Sequence, residues 1–102
     1  MRKTKTKVNS YQVKGDLNIY TVASVKEELM PIVNTSMITE IDLSSVQEMD
    51  SAGLQLLVLA KRESLAKNAE LRLVGHTPAV LDVLDICDMA GYFGDPVVIS
   101  SK

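Results

Sequence analysis

The stretch EMDSAGLQLLVLAKRESLAK, from Glu48 to Lys67, decides how the rest of the chain is read. Its opening turn, Met49-Asp50-Ser51-Ala52-Gly53-Leu54, leads into a segment that is apolar almost all round. Leu54, Leu56, Leu57, Val58, Leu59 and Ala60 come before Lys61, Arg62, Glu63 and Lys67 bring charge. A helix with so little polar face belongs against a sheet. Asp50 and Ser51 are both residue types that cap helix starts, because a short side-chain oxygen accepts from the free N–H groups of the first turn. Those N–H groups and the helix dipole also favour an anion, so a charge placed on Ser51 is tolerated there. Gly53 is expected to leave the turn uncrowded for whatever approaches Ser51. The stretch reads as one reactive hydroxyl on the most firmly anchored helix, which is the layout of a switch.

Working outward toward the N-terminus, Val8–Val13 and Leu17–Tyr20 read as two short strands joined around Lys14-Gly15-Asp16, with Gly15 supplying the turn. Thr21 is the expected cap of a helix carrying Val22, Val25, Leu29 and Ile32 at helical spacing, with Lys26, Glu27 and Glu28 toward water. Pro31 has no amide donor and crowds the preceding turn, so this helix should kink or end near Met30. Ile38, Ile41 and Leu43 mark the next strand. Asp42 lies within it, Ser44-Ser45 turn the chain, and Val46 and Met49 tuck back onto the core.

Beyond the central helix, Asn68-Ala69 closes it and Glu70–Val74 reads as a further strand. Thr77 followed by Pro78 is a strong helix start, and Val80, Leu81 and Leu84 carry that helix. Gly91 stops the segment, Tyr92-Phe93-Gly94 reads as loop, and Pro96–Ser100 as a last strand. The order β-β-α-β-α-β-α-β predicts an α/β fold, with helices packed on a mixed, largely parallel sheet of four to five strands.

A length of 102 residues suffices for one domain with a single core. The net charge of −2 sets the chain apart from general nucleic-acid binders, which carry a basic balance or stripe. Arg2, Lys3, Lys5 and Lys7 make residues 1–7 basic, but without interleaved aromatics they read as a solvated tail or the start of an edge strand. No apolar run approaches the ~20 residues that span a bilayer, and no signal-peptide segment opens the chain. The single cysteine, Cys87, cannot form an internal disulfide, so a cytoplasmic protein is expected. One histidine and one cysteine do not make a zinc site. No metal or cofactor is expected.

Catalytic readings fare poorly. An esterase elbow wants glycine two before and two after the serine; Gly53 fits, but Met49 stands at the other position, and His76 is the one available imidazole. Asp42 and Asp50 with a hydroxyl could hold magnesium at the carboxyl edge of the sheet. The simpler reading has Asp42 accepting from the Ser44-Ser45 turn and Asp50 capping the helix. A phosphate-accepting receiver site needs an acidic pair, a central aspartate and a lysine, and that set is absent. No glycine-rich phosphate loop occurs. Cys87, without a cationic neighbour, reads as packing. What remains is a non-enzymatic binding domain with a modifiable serine.

Ile41-Asp42-Leu43-Ser44, Met49-Asp50-Ser51-Ala52-Gly53-Leu54, Leu71-Arg72-Leu73-Val74 and Thr77-Pro78-Ala79-Val80 closely resemble the STAS domain of anti-sigma-factor antagonists, also found at the ends of sulphate transporters. Gly15-Asp16-Leu17 resembles that family's early Gly-acid-Leu turn. The resemblance runs from about Val8 to Ile99, which makes 8–102 the domain behind a tail of residues 1–7. It implies that Ser51 is phosphorylated by a partner kinase of the GHKL type that doubles as an anti-sigma factor. The unphosphorylated form would bind that partner and free the sigma factor, and a phosphatase would reset it. The implied partner face comprises Asp16, Leu17, Asn18, Met49, Asp50, Ser51 and Leu54, with Asp42 and Asp50 as supporting acids. For Leu17, Met49 and Leu54, core packing is an equal reading. Asn18, where antagonists often carry an acid, and Tyr20, where more polar residues are common, depart from the pattern. Similar stand-alone domains serve chemotaxis or two-component clusters. Others are constitutive docking subunits of lipid-transport ABC systems, in which the matching hydroxyl is often threonine. Serine at position 51 points to the phosphoswitch.

Overall fold

Three five-residue segments alternate inward and outward residues, as a sheet covered on one face requires. They are β1 (Val8–Gln12), β2 (Ile38–Asp42) and β3 (Glu70–Val74), and they pair in that order with both pairings parallel. The computed structural model describes residues 7–87 and 90–93. Its register lines up Tyr11, Ile41 and Leu73 across the covered face, and Ser10, Glu40 and Arg72 across the other. Helix α1 (Val22–Thr35) connects β1 to β2, and α2 (Ser51–Ala66) connects β2 to β3. Parallel strands in sequential order, with crossovers of one hand, put both helices on the same face. There α1 and α2 pack on each other, over a core that includes Leu17, Leu29, Val33, Ile41, Leu43, Val46 and Leu57. Helices α3 (Pro78–Ile86) and α4 (Ala90–Phe93) follow, α3 against α2 and α4 against β3.

Local chemistry closes the helix ends. The Thr77 hydroxyl accepts from the Val80 N–H and donates to the Val46 carbonyl, tying the start of α3 to the β2–α2 loop. At the far end of α2, Asn68 takes a left-handed conformation (φ 58°). The N–H of Ala69 bonds back to the Ser64 carbonyl and that of Asn68 to the Leu65 carbonyl, a Schellman closure with asparagine in the usual glycine position.

Several expectations are corrected. Leu17–Tyr20 is not a strand: Leu17 makes one isolated parallel bridge with Met49, and the chain then turns. The Asn18 side chain accepts from the N–H groups of Tyr20 and Thr21, taking donors that a strand ladder would have used. Among the described residues the sheet therefore has three strands, all parallel, rather than being mixed. The expected last strand, Pro96–Ser100, lies outside the described residues. Tyr92 and Phe93 belong to α4 rather than a loop, with their rings edge to face at 5.3 Å and Phe93 buried. Cys87 lies past Leu84, the last buried residue of α3, and is exposed rather than packed. Thr21 stands at the N-cap of α1 without a side-chain capping bond.

Pro31 neither ends nor shortens α1, which runs on to Thr35. Leu29 and Val33 on either side of it are fully buried, so tertiary packing overrides the lost hydrogen bond. Pro31 itself is exposed, and the Thr35 hydroxyl donates to its carbonyl at 2.8 Å. Pro31→Ala should therefore stabilise the protein by about 1–3 kcal/mol, restoring the amide donor at no packing cost. Urea unfolding would show this as a higher midpoint with an unchanged slope; a lower midpoint would mean that the proline ring is itself a packing element.

Candidate functional site

Asp50 builds the start of α2. One carboxylate oxygen accepts from the N–H groups of Ala52 and Gly53, at 2.9 and 3.2 Å, and the other from the N–H of Ile19 at 3.1 Å. A single side chain thus caps the helix and pins the β1–α1 loop to it. Burial works against the charged form of Asp50, but the N–H groups of Ile19, Gly53 and Ala52 outweigh it and hold the carboxyl below its ordinary value.

The pinned loop is itself closely bonded. The buried Asn18 donates to Glu48 through its amide at 2.9 Å, and the Thr21 hydroxyl accepts from the Asn18 N–H and donates to the Asp16 carbonyl. Asp16 accepts from the Gln47 N–H. Leu17 lies on α2 so closely that a Cβ on Gly53 would come 2.2 Å from the Leu17 carbonyl oxygen. This corrects the expectation that Gly53 leaves space open: the space is filled by backbone.

Together these contacts tie down Asp16, Leu17 and Asn18, while beyond the exposed Lys14 and Gly15 the loop turns two large apolar side chains to water. Ile19 is 65% and Tyr20 90% exposed. Ser51, next to the Asp50 cap, is also exposed at the first position of α2. On its other side, Val22, Lys26, Ala52, Gln55, Leu56 and Leu59 line an open groove of about 250 Å³ between α1 and α2. Of the residues named from the sequence, Asp16, Asp50 and Ser51 reach the surface here, whereas Leu17, Asn18, Met49 and Leu54 are buried beneath it. Ile19 and the groove residues were not legible as site members. Their signal was two large apolar residues held between turn-forming Asn18 and Thr21, where a tight turn has no interior to bury them.

Asp42 belongs to a different corner. It ends β2, and the side chain and N–H of Ser44 hold its carboxyl below the ordinary value against partial desolvation. Gly75 (φ 71°) packs against it, since a Cβ there would sit 2.7 Å from the Asp42 carboxylate. Asp42 is thus a loop-ordering acid. Among the described residues no cluster of three or more His, Cys, Asp or Glu could hold a metal ion, and no helix is long and apolar enough to cross a membrane.

Asp50→Ala should lower the melting temperature and speed amide exchange at Ile19 and Tyr20. Because the folded-state pKa is depressed, this carboxylate stabilises the fold at pH above its unfolded value, about 4. That contribution is lost as pH falls through the lower folded value. The gap in melting temperature between wild type and Asp50→Ala should accordingly narrow in acid; a gap that widened below pH 4 would contradict the assigned bonds.

Comparison with known proteins gives a consistent picture. Residues 5–99 match the family model described as Mlab, STAS domain. The chain is 32% identical over 79 residues to the anti-sigma-B factor antagonist of Listeria monocytogenes, covering 76% of this chain and 69% of that protein. Its fold is similar to that of a sulfate transporter family protein from Wolinella succinogenes, with a TM-score of 0.71, 15% identity, and coverage of 85% of this chain and 71% of the other. It is also similar to the phosphorylated form of the Bacillus cell fate determinant SpoIIAA, with a TM-score of 0.66, 16% identity, and coverage of 92% and 86%.

Proposed function

Because this chain belongs to the STAS-domain family, we propose that it is a partner-switching protein of the anti-sigma-factor-antagonist kind, without enzymatic activity, and controlled by phosphorylation of Ser51. The partner in this reading is a GHKL-type kinase that doubles as an anti-sigma factor, a phosphatase resets the switch, and the pathway is cytoplasmic and acts on transcription. One observation carries the reading: an exposed serine at the first position of α2, beside a bonded loop that presents Ile19 and Tyr20 to solvent. The identity with an anti-sigma-B factor antagonist supports the assignment of the partner class.

The physics of the site suits a switch that works without refolding. Phosphorylation adds about −1.5 to −2 charge and three strong acceptor oxygens. At a helix start that charge meets the positive dipole end, so α2 tolerates it even with the Ala52 and Gly53 N–H groups already taken by Asp50. The neighbouring Asp50 carboxylate and the apolar groove face the same modification from outside the helix. A partner seated over Ile19, Tyr20 and the groove would have to bury the phosphate, and repulsion and desolvation would expel it.

A second reading is a constitutive docking subunit of a lipid-transport ABC system. The family model's description favours it. Intact mass of the protein purified from its native cells, with and without phosphatase, separates the two. The switch predicts a phosphate that maps to Ser51 and disappears on treatment. Absence of phosphate across growth and stress conditions, together with co-purification with membranes, would replace the switch by the docking subunit.

A further inference from the structure

A second cleft opens on the other flank of the α1 start and shares no lining residue with the groove beside Ser51. Tyr11 of β1, Lys14, Asp16 and Tyr20 of the connecting loop, and Ser24 and Glu28 of α1 line about 320 Å³ of open space. It lies beyond the carboxyl end of β1, an edge strand of the described sheet. Its chemistry is only partly used within the protein. The Tyr11 phenol donates to one Glu28 oxygen at 2.7 Å, and burial and that carboxylate push the phenol up to about 12, so it remains a donor at any physiological pH. Among the described residues, nothing pairs with the Lys14 ammonium, the Ser24 hydroxyl or the Tyr20 hydroxyl.

We propose that this cleft binds a small aromatic zwitterion of the α-amino-acid class. Lys14 supplies the cation for the ligand's carboxylate, Asp16 and Glu28 supply anions for its ammonium, and the two tyrosine rings supply faces for its aromatic part. Both charge signs in one cleft select a ligand that carries both. One lysine against two carboxylates leaves the lining net negative, which disfavours polyphosphates. The volume, at the low end of the ~300–1,000 Å³ usual for ligand pockets, also favours a small molecule. Tyr20, 90% exposed, is free to fold over the occupant and lose that exposure. The same side chain borders the surface beside Ser51, so occupancy would alter what a partner protein meets there, whatever the state of Ser51.

Amide chemical shifts of the full chain, titrated with L-phenylalanine, phenethylamine and 3-phenylpropionate, test this. L-Phenylalanine should give saturable shifts at Lys14, Asp16, Tyr20 and Ser24. Phenethylamine, which lacks the carboxylate, and 3-phenylpropionate, which lacks the amine, should each bind about tenfold or more weakly, as expected for loss of a charge-assisted contact. Lys14→Met, on an exposed loop, and Glu28→Gln, which keeps an acceptor for Tyr11, should weaken L-phenylalanine to the same degree. No saturable shift at millimolar ligand, shifts centred on the groove between α1 and α2, or undiminished affinity in both variants would overturn the proposal.

Discussion

Gly53→Ala should lower the melting temperature by roughly 5–15 °C, although alanine is ordinarily the better helix residue by about 1 kcal/mol. The sign reverses because the added methyl would enter a space already held by the Leu17 carbonyl, with the Leu17 side chain 2.9 Å away. A flexible side chain could step aside, but a backbone carbonyl cannot move alone. It is flanked by the Leu17 N–H bond to Glu48 and by the Asp50 N–H, so relief would shift the whole loop. Overpacking of this kind costs about 1–3 kcal/mol, occasionally more, and so outweighs the roughly 1 kcal/mol that alanine gains in helix preference. Thermal unfolding followed by circular dichroism measures the effect. An unchanged or raised melting temperature would mean that Leu17 is not seated on α2 as described. The displaced loop carries Ile19 and Tyr20, so partner affinity should fall in parallel.

Ser51→Asp should weaken binding to the proposed kinase partner by about a hundredfold or more, whereas Ser51→Ala should bind as tightly as wild type and resist switching. The magnitude follows from burying one unpaired charge in an interface, typically several kcal/mol. Neither substitution should alter stability much. Ser51 is exposed, the α2 cap is made by Asp50 rather than by Ser51, and an acid in the first helical turn is mildly favourable. Calorimetry against the isolated partner, with melting curves of both variants alongside, separates lost binding from lost folding. Full affinity of Ser51→Asp would remove the switch and leave constitutive docking.

The start of α2 shows which features of a sequence can be read directly. Ser51, Asp50 and the helix behind them were legible because their signals are local. A capping acid, a small turn and a long apolar run lie next to each other in the chain, and each acts within one helical turn. Thr77 with Pro78, and Asn68 at the end of α2, were readable for the same reason. The hydrophobic spacing of α1 also survived, although Pro31 suggested an early end. The residue that carries a helix across a proline is its buried neighbour, and burial of Leu29 and Val33 depends on what packs opposite.

The remainder depends on contacts between segments far apart in the chain. Leu17–Tyr20 carries the apolar residues of a strand, yet the Asn18 side chain and the distant Asp50 carboxylate take its N–H groups and leave a turn. Gly53 looked like open space because nothing near it in sequence fills it; its occupant, the Leu17 backbone, arrives from the preceding crossover. Leu17, Met49 and Leu54 could have served as surface or core, and parallel packing put them inside. By itself, then, the sequence determined the α/β class, the helix starts and the place of Ser51 at the start of α2, since capping and periodicity act over a few residues. Only the tertiary structure decided which side chains around Ser51 meet solvent, because the strand register and helix packing that bring Leu17 onto Gly53 and Asp50 onto Ile19 exist only in the folded chain.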